Sequence, residues 1–129
     1  MEMKKYDTGA VREDKTGKGR MDLLPMCALI RLSKHFETSL ADHPERNWEK
    51  GLPMHSFLDS GIRHLFKYMD GCTDEDHLCA AAWNILCAMW TEEKHPEMQD
   101  IPARLCKTVG ISCEIPGQMS IDELRREYG

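Results

Sequence analysis

Residues 74–84 read DEDHLCAAAWN and continue as ILCAMW to residue 90. Three acids and a histidine open a segment that is then almost wholly apolar, with one asparagine, Asn84, left inside it. Thr73 with Asp76 three residues on has the capping-box pattern, in which two side chains satisfy the first free N–H groups of a helix. The apolar run lasts until His95-Pro96, where the residue before a proline is pushed out of helical geometry. The spacing therefore predicts a helix over about 73–94. A helix apolar on nearly every side belongs inside a core, so its neighbours settle the fold class.

Upstream, Ser56 with Asp59 repeats the capping box, and Leu58, Ile62, Leu65, Phe66 and Met69 share one face before Gly71. These residues predict a helix over about 56–69. Farther back, Pro25 stands where a missing N–H does no harm, and Leu29, Leu32, Phe36 and Leu40 recur at helical spacing, predicting a helix over about 24–41. The connector DHPERNWEKGLPMH is too polar and too interrupted for regular structure. DTGAVREDKTGKGR, residues 7–20, has the composition of a basic loop rather than of a strand or helix. Beyond the long helix, MQDIPARLCKTVGISCEIPGQ reads as an extended crossing with a short strand, and Ser120 with Glu123 caps a small helix, SIDELRREY. The expectation is an all-α fold: a helical bundle of three main helices, a short C-terminal helix and a basic N-terminal loop, forming one domain over 1–129.

The chain has 129 residues, 30% of them charged, and a net charge of -5. Such a balance repels duplex nucleic acid. No stretch approaches a membrane span and no secretory signal opens the chain, so a cytoplasmic location is expected. Cys27, Cys72, Cys79, Cys87, Cys106 and Cys113 contain no C-x-x-C pair and are read as reduced thiols, mostly core filler. With no neighbouring base and no close-set ligand couples, they support neither covalent catalysis nor structural zinc.

The polar groups that fall on apolar faces are the candidates for chemistry. On a helical wheel Glu37 lies inside the apolar sector of the first helix, between Met26 and Ile30. An inward carboxylate requires a partner or a cation; at the edge of the sector it reaches solvent or Arg31 instead. His77, Asn84 and Thr91 are seven apart and form one stripe of the long helix, with Asp76 about a quarter-turn away. The stripe either lines a cleft or makes a polar contact between packed helices, with Asp76 as a cap. Arg63 and His64 flank the second helix's face, suited to phosphate or to a surface ion pair. In the basic loop, Arg12, Lys15, Lys18 and Arg20 stand among glycines, a composition that wraps phosphates but lacks the P-loop spacing. In RNWEKG, Trp48 stacks on a nucleobase or plugs the bundle, Asn47 offers an amide to a base edge, and Lys50 adds a cation. Carboxylates on bundle helices suit Mg2+ or Mn2+, which absorb charge as a phosphoanhydride opens.

Four blocks, GAVREDKTGKGRMDLLP, FETSLADHPERNWEKG, FLDSGIRHLFKYMDG and DEDHLCAAAWN, together resemble in order and spacing the phage-borne dATP/dGTP diphosphohydrolase family of N-terminal domain type. That family is related to the MazG-like all-α nucleoside triphosphate pyrophosphatases. The resemblance covers about residues 9–93 and leaves 96–129 as an extension. It implies a homo-oligomeric helical protein that cleaves a deoxynucleoside triphosphate to monophosphate and pyrophosphate with Mg2+ or Mn2+. Glu37 matches the glutamate of the first acidic helix, and Asp76, His77 and Asn84 match the polar positions of the later one. It assigns Glu37, Asp76 and His77 to catalysis, and Glu37 with Asp76 to the metal. Thr38 and Ala41 stand where relatives carry further carboxylates. That thinning motivates a second reading, a nucleotide-binding or host-factor-binding phage protein that sequesters a nucleotide or blocks a defence protein.

Overall fold

The computed structural model describes residues 2–109 and Arg126. Apart from Arg126, which is helical, the small helix expected over 120–128 lies outside them, as does Cys113. The chain divides into two units, residues 1–31 and 32–129.

The first unit opens with a hairpin. Strand β1 (Met3–Lys5) pairs antiparallel with β2 (Val11–Glu13), Lys4 opposite Arg12. Tyr6 N–H donates to the Ala10 carbonyl at 2.8 Å and Gly9 N–H to the Tyr6 carbonyl at 2.9 Å, closing the turn. The loop expected over 7–20 is therefore a strand at Val11–Glu13. The strand owes its existence to backbone pairing with residues outside the basic segment, which composition does not report. Asp14 then accepts from Thr16 N–H at 3.0 Å and from Thr16 Oγ1 at 2.8 Å, an Asx turn that shapes the glycine-rich stretch.

Helix α1 (Met26–Thr38) begins just after Pro25, whose carbonyl accepts from Ala28 and Leu29 N–H, and ends in a 3-10 turn at Ser39–Ala41. The unit boundary falls within it, between Arg31 and Leu32. Helices α2 (Met54–Met69), α3 (His77–Lys94) and α4 (Pro102–Val109) follow. The described part is all-α apart from the hairpin. Residues 102–109, expected to be extended, are helical: Pro102 sits at the start, where its lost N–H is harmless, and Arg104 and Leu105 N–H bond the Ile101 carbonyl.

Helices α2 and α3 pack antiparallel. His64 meets His77 at one end, and nearer the middle Gly61 faces Asn84 and Ile85. Met54, Phe57, Cys87 and Ala88 form the buried cluster, with Phe36, Trp48, Leu52, Trp83 and Ile101 packed against it. Cys79 and Cys87 are core filler, and burial pushes the Cys87 thiol up to about 12, whereas Cys27 and Cys72 are exposed.

Two caps differ from expectation. Helix α2 begins at Met54 after Pro53, so Ser56 lies inside its first turn rather than at the cap. Helix α3 begins at His77, and Asp76 is itself the N-cap, its Oδ1 accepting from Cys79 N–H at 3.1 Å. The residues Thr73 to Glu75 before it are not helical. No residue of α1 is buried, and the sector expected to face a core exposes Met26 and Ile30 at 73% and 49%. Glu37, in that same sector, is exposed, so the inward carboxylate is not what forms. Of the sector's residues, Phe36 reaches the buried cluster. Where no second layer covers a helix face, a carboxylate keeps its water.

Candidate functional site

In the second unit, a cleft of about 530 Å³ opens between the end of α1, the connector 43–48 and α3. Its walls carry Phe36, Glu37, His43, Glu45, Arg46, Asn47, Trp48 and Trp83. Arg46 takes a left-handed φ of 57°, which turns the connector into the 3-10 turn Asn47–Lys50, and its guanidinium donates to Glu49 at 2.6 Å. Trp48 meets Phe36 edge-on at 6.1 Å and Trp90 edge-on at 5.0 Å. Trp48 packs on the core cluster, and the same half-buried ring walls the cleft. Trp83 stands 6.0 Å from Phe36, and its indole N–H has no acceptor among the described residues.

The connector is fastened from the far side. His95 Nε2 lies 2.9 Å from the Glu49 carbonyl, and Nδ1 lies 2.9 Å from Glu97 Oε1. Both contacts are hydrogen bonds only when both ring nitrogens carry protons. Glu97, and then the Glu49 carbonyl, accordingly hold the His95 pKa above its ordinary value. His55 adds a second tie, its N–H donating to Asp100 Oδ1 at 2.9 Å and its ring pairing with Oδ2. Gly51 holds φ at 102°, with Met98 packed where a β-carbon would stand, which gives that position to glycine.

The second feature lies where α2 and α3 meet. His77, at the first turn of α3, is 1% exposed. Its Nε2 lies 2.6 Å from Asp74 Oδ1, and its Nδ1 faces His64 Nδ1 of α2 at 3.0 Å. Glu75 Oε1 completes the group, 3.3 Å from His64 Nδ1 and 3.7 Å from His77 Nδ1. The His77 hydrogen bond holds the Asp74 carboxyl below its usual range. Burial, only partly offset by Glu75, holds His64 below the ordinary imidazole value. The acids of the opening quotation therefore divide their work: Asp74 orients His77, Glu75 reaches the histidine pair, and Asp76 caps the helix.

The other expected residues are distributed as follows. Asn84 is buried and donates to the Ala80 carbonyl of its own helix at 2.9 Å. Arg63 forms a surface ion pair with Asp59, one turn away. Lys50 is exposed. In the first unit, Lys15 and Arg20 help line a polar hollow with Lys4, Thr16 and Gly17. There Lys18 pairs with Glu13, and Arg20 grips Asp22 through two bonds of 2.8 and 2.7 Å. Arg12 lies on β2 opposite Lys4. Such solvent-exposed pairs are weak.

A family model described as "dATP/dGTP diphosphohydrolase, N-terminal" matches residues 8–101, well over half of the chain. The chain belongs to that family. The dATP/dGTP diphosphohydrolase match takes in the Trp48 cleft and the His64–His77 group, and it agrees with the resemblance carried by the four sequence blocks. No curated protein and no solved structure matches the chain. No described helix is long and apolar enough to cross a membrane.

Whether these residues suit a divalent cation depends on the donors that converge. Among the described residues, the His, Cys, Asp and Glu side chains that gather in a group of three are His64, Glu75 and His77. Glu37 and Asp76 are not members: Glu37 stands on the exposed cleft wall, and Asp76 serves the helix end. A Mg2+ ion that arrives with phosphates and keeps its waters needs only one or two protein carboxylates, and Glu37 is a carboxylate on the cleft wall.

Sequence reasoning passed over Asp74, Glu75, Glu45 and Trp83. For the first two a signal was present. Acids just before a capping residue lie off the helix, so wheel geometry does not describe them, and their chain direction lets them reach back toward α2.

Proposed function

We propose that the protein is a nucleoside triphosphate diphosphohydrolase acting on purine deoxynucleotides, converting dNTP and water to dNMP and pyrophosphate, in a phage-infected cytoplasm. The observation that carries the reading is the family membership, whose description names dATP and dGTP. The cleft supports it. Trp48, Phe36 and Trp83 give flat apolar walls for a base, Asn47 gives a donor and acceptor for its edge, and Glu37 stands on the same wall.

In the reaction, a water oxygen bonds to the α-phosphorus, and the bond from that phosphorus to the bridging oxygen breaks. Pyrophosphate leaves with the electron pair, and the water proton passes to a base. Mg2+ or Mn2+, when bound, neutralises the phosphates and sharpens the electrophile. Glu37 is assigned to the cation on the nucleotide and to orienting water. His77 is buried, so any proton it relays passes through His64 or Glu75. Asp76 contributes by fixing the start of α3, and Asn84 by fixing the α3 face behind the cleft. Lys50 and Arg63 are assigned to phosphate charge, and the first unit, taken by itself, offers Arg12, Lys15, Lys18 and Arg20 to an anion. Exposed Ile62, Phe66 and Met69 on α2 support self-association.

The test is product analysis with a panel of nucleoside triphosphates and Mg2+. dATP and dGTP are expected to yield monophosphate and pyrophosphate, and Glu37→Gln to lower kcat at least 100-fold with an unchanged melting curve. Full turnover in Glu37→Gln removes that residue from the centre. The second reading, a binding protein without turnover, rests on Thr38 and Ala41 and predicts tight dNTP binding with no product.

A further inference from the structure

We infer that His64, Glu75 and His77 form a site for a nitrogen-preferring divalent transition ion such as Zn2+, Co2+ or Ni2+, with Asp74 as the group that orients His77. The three ligand atoms lie 3.0, 3.3 and 3.7 Å from one another. An ion bound at about 2.0–2.2 Å in tetrahedral geometry sets its ligand atoms roughly 3.3 Å apart, the middle of that range.

The hydrogen bonding of His77 selects the same atoms. Its Nε2–H donates to Asp74, so Nδ1 keeps its lone pair, and that lone pair points at His64 Nδ1 and Glu75 Oε1. A histidine whose remote nitrogen is held by a carboxylate is the usual arrangement behind a metal-bound imidazole. Two imidazoles and one carboxylate form a borderline donor set, which disfavours Mg2+ and Ca2+. Three protein ligands leave a further position for water. Side-chain exposure rises from His77 at 0% through His64 at 22% to Glu75 at 52%, giving the ion an approach from the Glu75 side. The positive end of α3 lies close by, and Asp74, Glu75 and Asp76 offset its repulsion of a cation.

The group sits apart in chemistry from Glu37, whose single carboxylate serves an ion carried by the nucleotide. The inference therefore does not require turnover. The experiment is Co2+ titration of the full chain after exhaustive chelation, read by visible d–d absorption and by metal analysis. One equivalent per chain is expected, with the intense absorption of a low-coordinate site, displaced by Zn2+. Glu75→Gln and His64→Gln are expected to weaken binding more than 100-fold, and Asp74→Asn by about 10–100-fold. Glu37→Gln and Asp76→Asn are expected to bind as the parent does, and a melting curve confirms each variant's fold. Absence of the band, or equal binding by Glu75→Gln, overturns the site. Loss of binding in Asp76→Asn with retention in Glu75→Gln overturns it as well. A chain that takes up Co2+ in this way but hydrolyses no nucleotide contradicts the proposed function and leaves the site standing. A chain that hydrolyses with Mg2+ and binds no Co2+ contradicts the site alone.

Discussion

Thr91 is fully buried, and its Oγ1 has no hydrogen-bond partner among the described residues. An unsatisfied buried hydroxyl costs about 1–3 kcal/mol, and valine has nearly the same shape. Thr91→Val is expected to raise stability by about 1 kcal/mol in chemical denaturation. His95 supplies a pH dependence. Its folded pKa is raised, so its contribution is fully present below the ordinary imidazole value of about 6.5. That contribution is lost as pH rises through the higher folded value. The difference in denaturation midpoint between the parent and His95→Gln should therefore be largest near pH 5 and shrink toward pH 9. A difference that grows with pH refutes the doubly bonded imidazolium.

At the scale of the element, α3 shows how one side chain sets a boundary. Asp76 caps it through Cys79 N–H, so Asp76→Ala is expected to cost about 1 kcal/mol, while Asp76→Asn, which also caps, costs a few tenths. Thermal melts of the two variants make the comparison. Helix extents were legible in the sequence because they follow from apolar period and breakers: Gly71 and His95-Pro96 end helices where expected. Helix starts were less so. Ser56 and Thr73 both head a sequence pattern that fits a cap, and the chain instead begins its helices at Met54, directly after Pro53, and at His77, where Asp76 caps through Cys79 N–H. The segment 102–109 was misjudged for a related reason. Ala103, Arg104, Leu105 and Lys107 are good helix formers, and Ile101, packed on the core, accepts the first hydrogen bonds of the turn.

For the molecule as a whole, the exposed apolar residues carry the testable consequence. Met21, Leu23, Met26, Phe66, Met69 and Met89 are each more than half exposed, a load that favours self-association. Light scattering during size exclusion should give a mass at least twice the 14.9 kDa of one chain. A monomer across the micromolar range refutes this.

Composition and period were enough for a mostly helical chain with a tryptophan-bearing connector, since those properties are local or additive along the sequence, while the family rested on the resemblance of four blocks in order and spacing. Which acid meets which base was not local. Glu37 looked inward because a wheel assumes that an apolar sector is covered, and only packing reports whether it is. His64 and His77 are thirteen positions apart on different helices, and it took the antiparallel fit of α2 against α3 to bring their Nδ1 atoms within 3.0 Å.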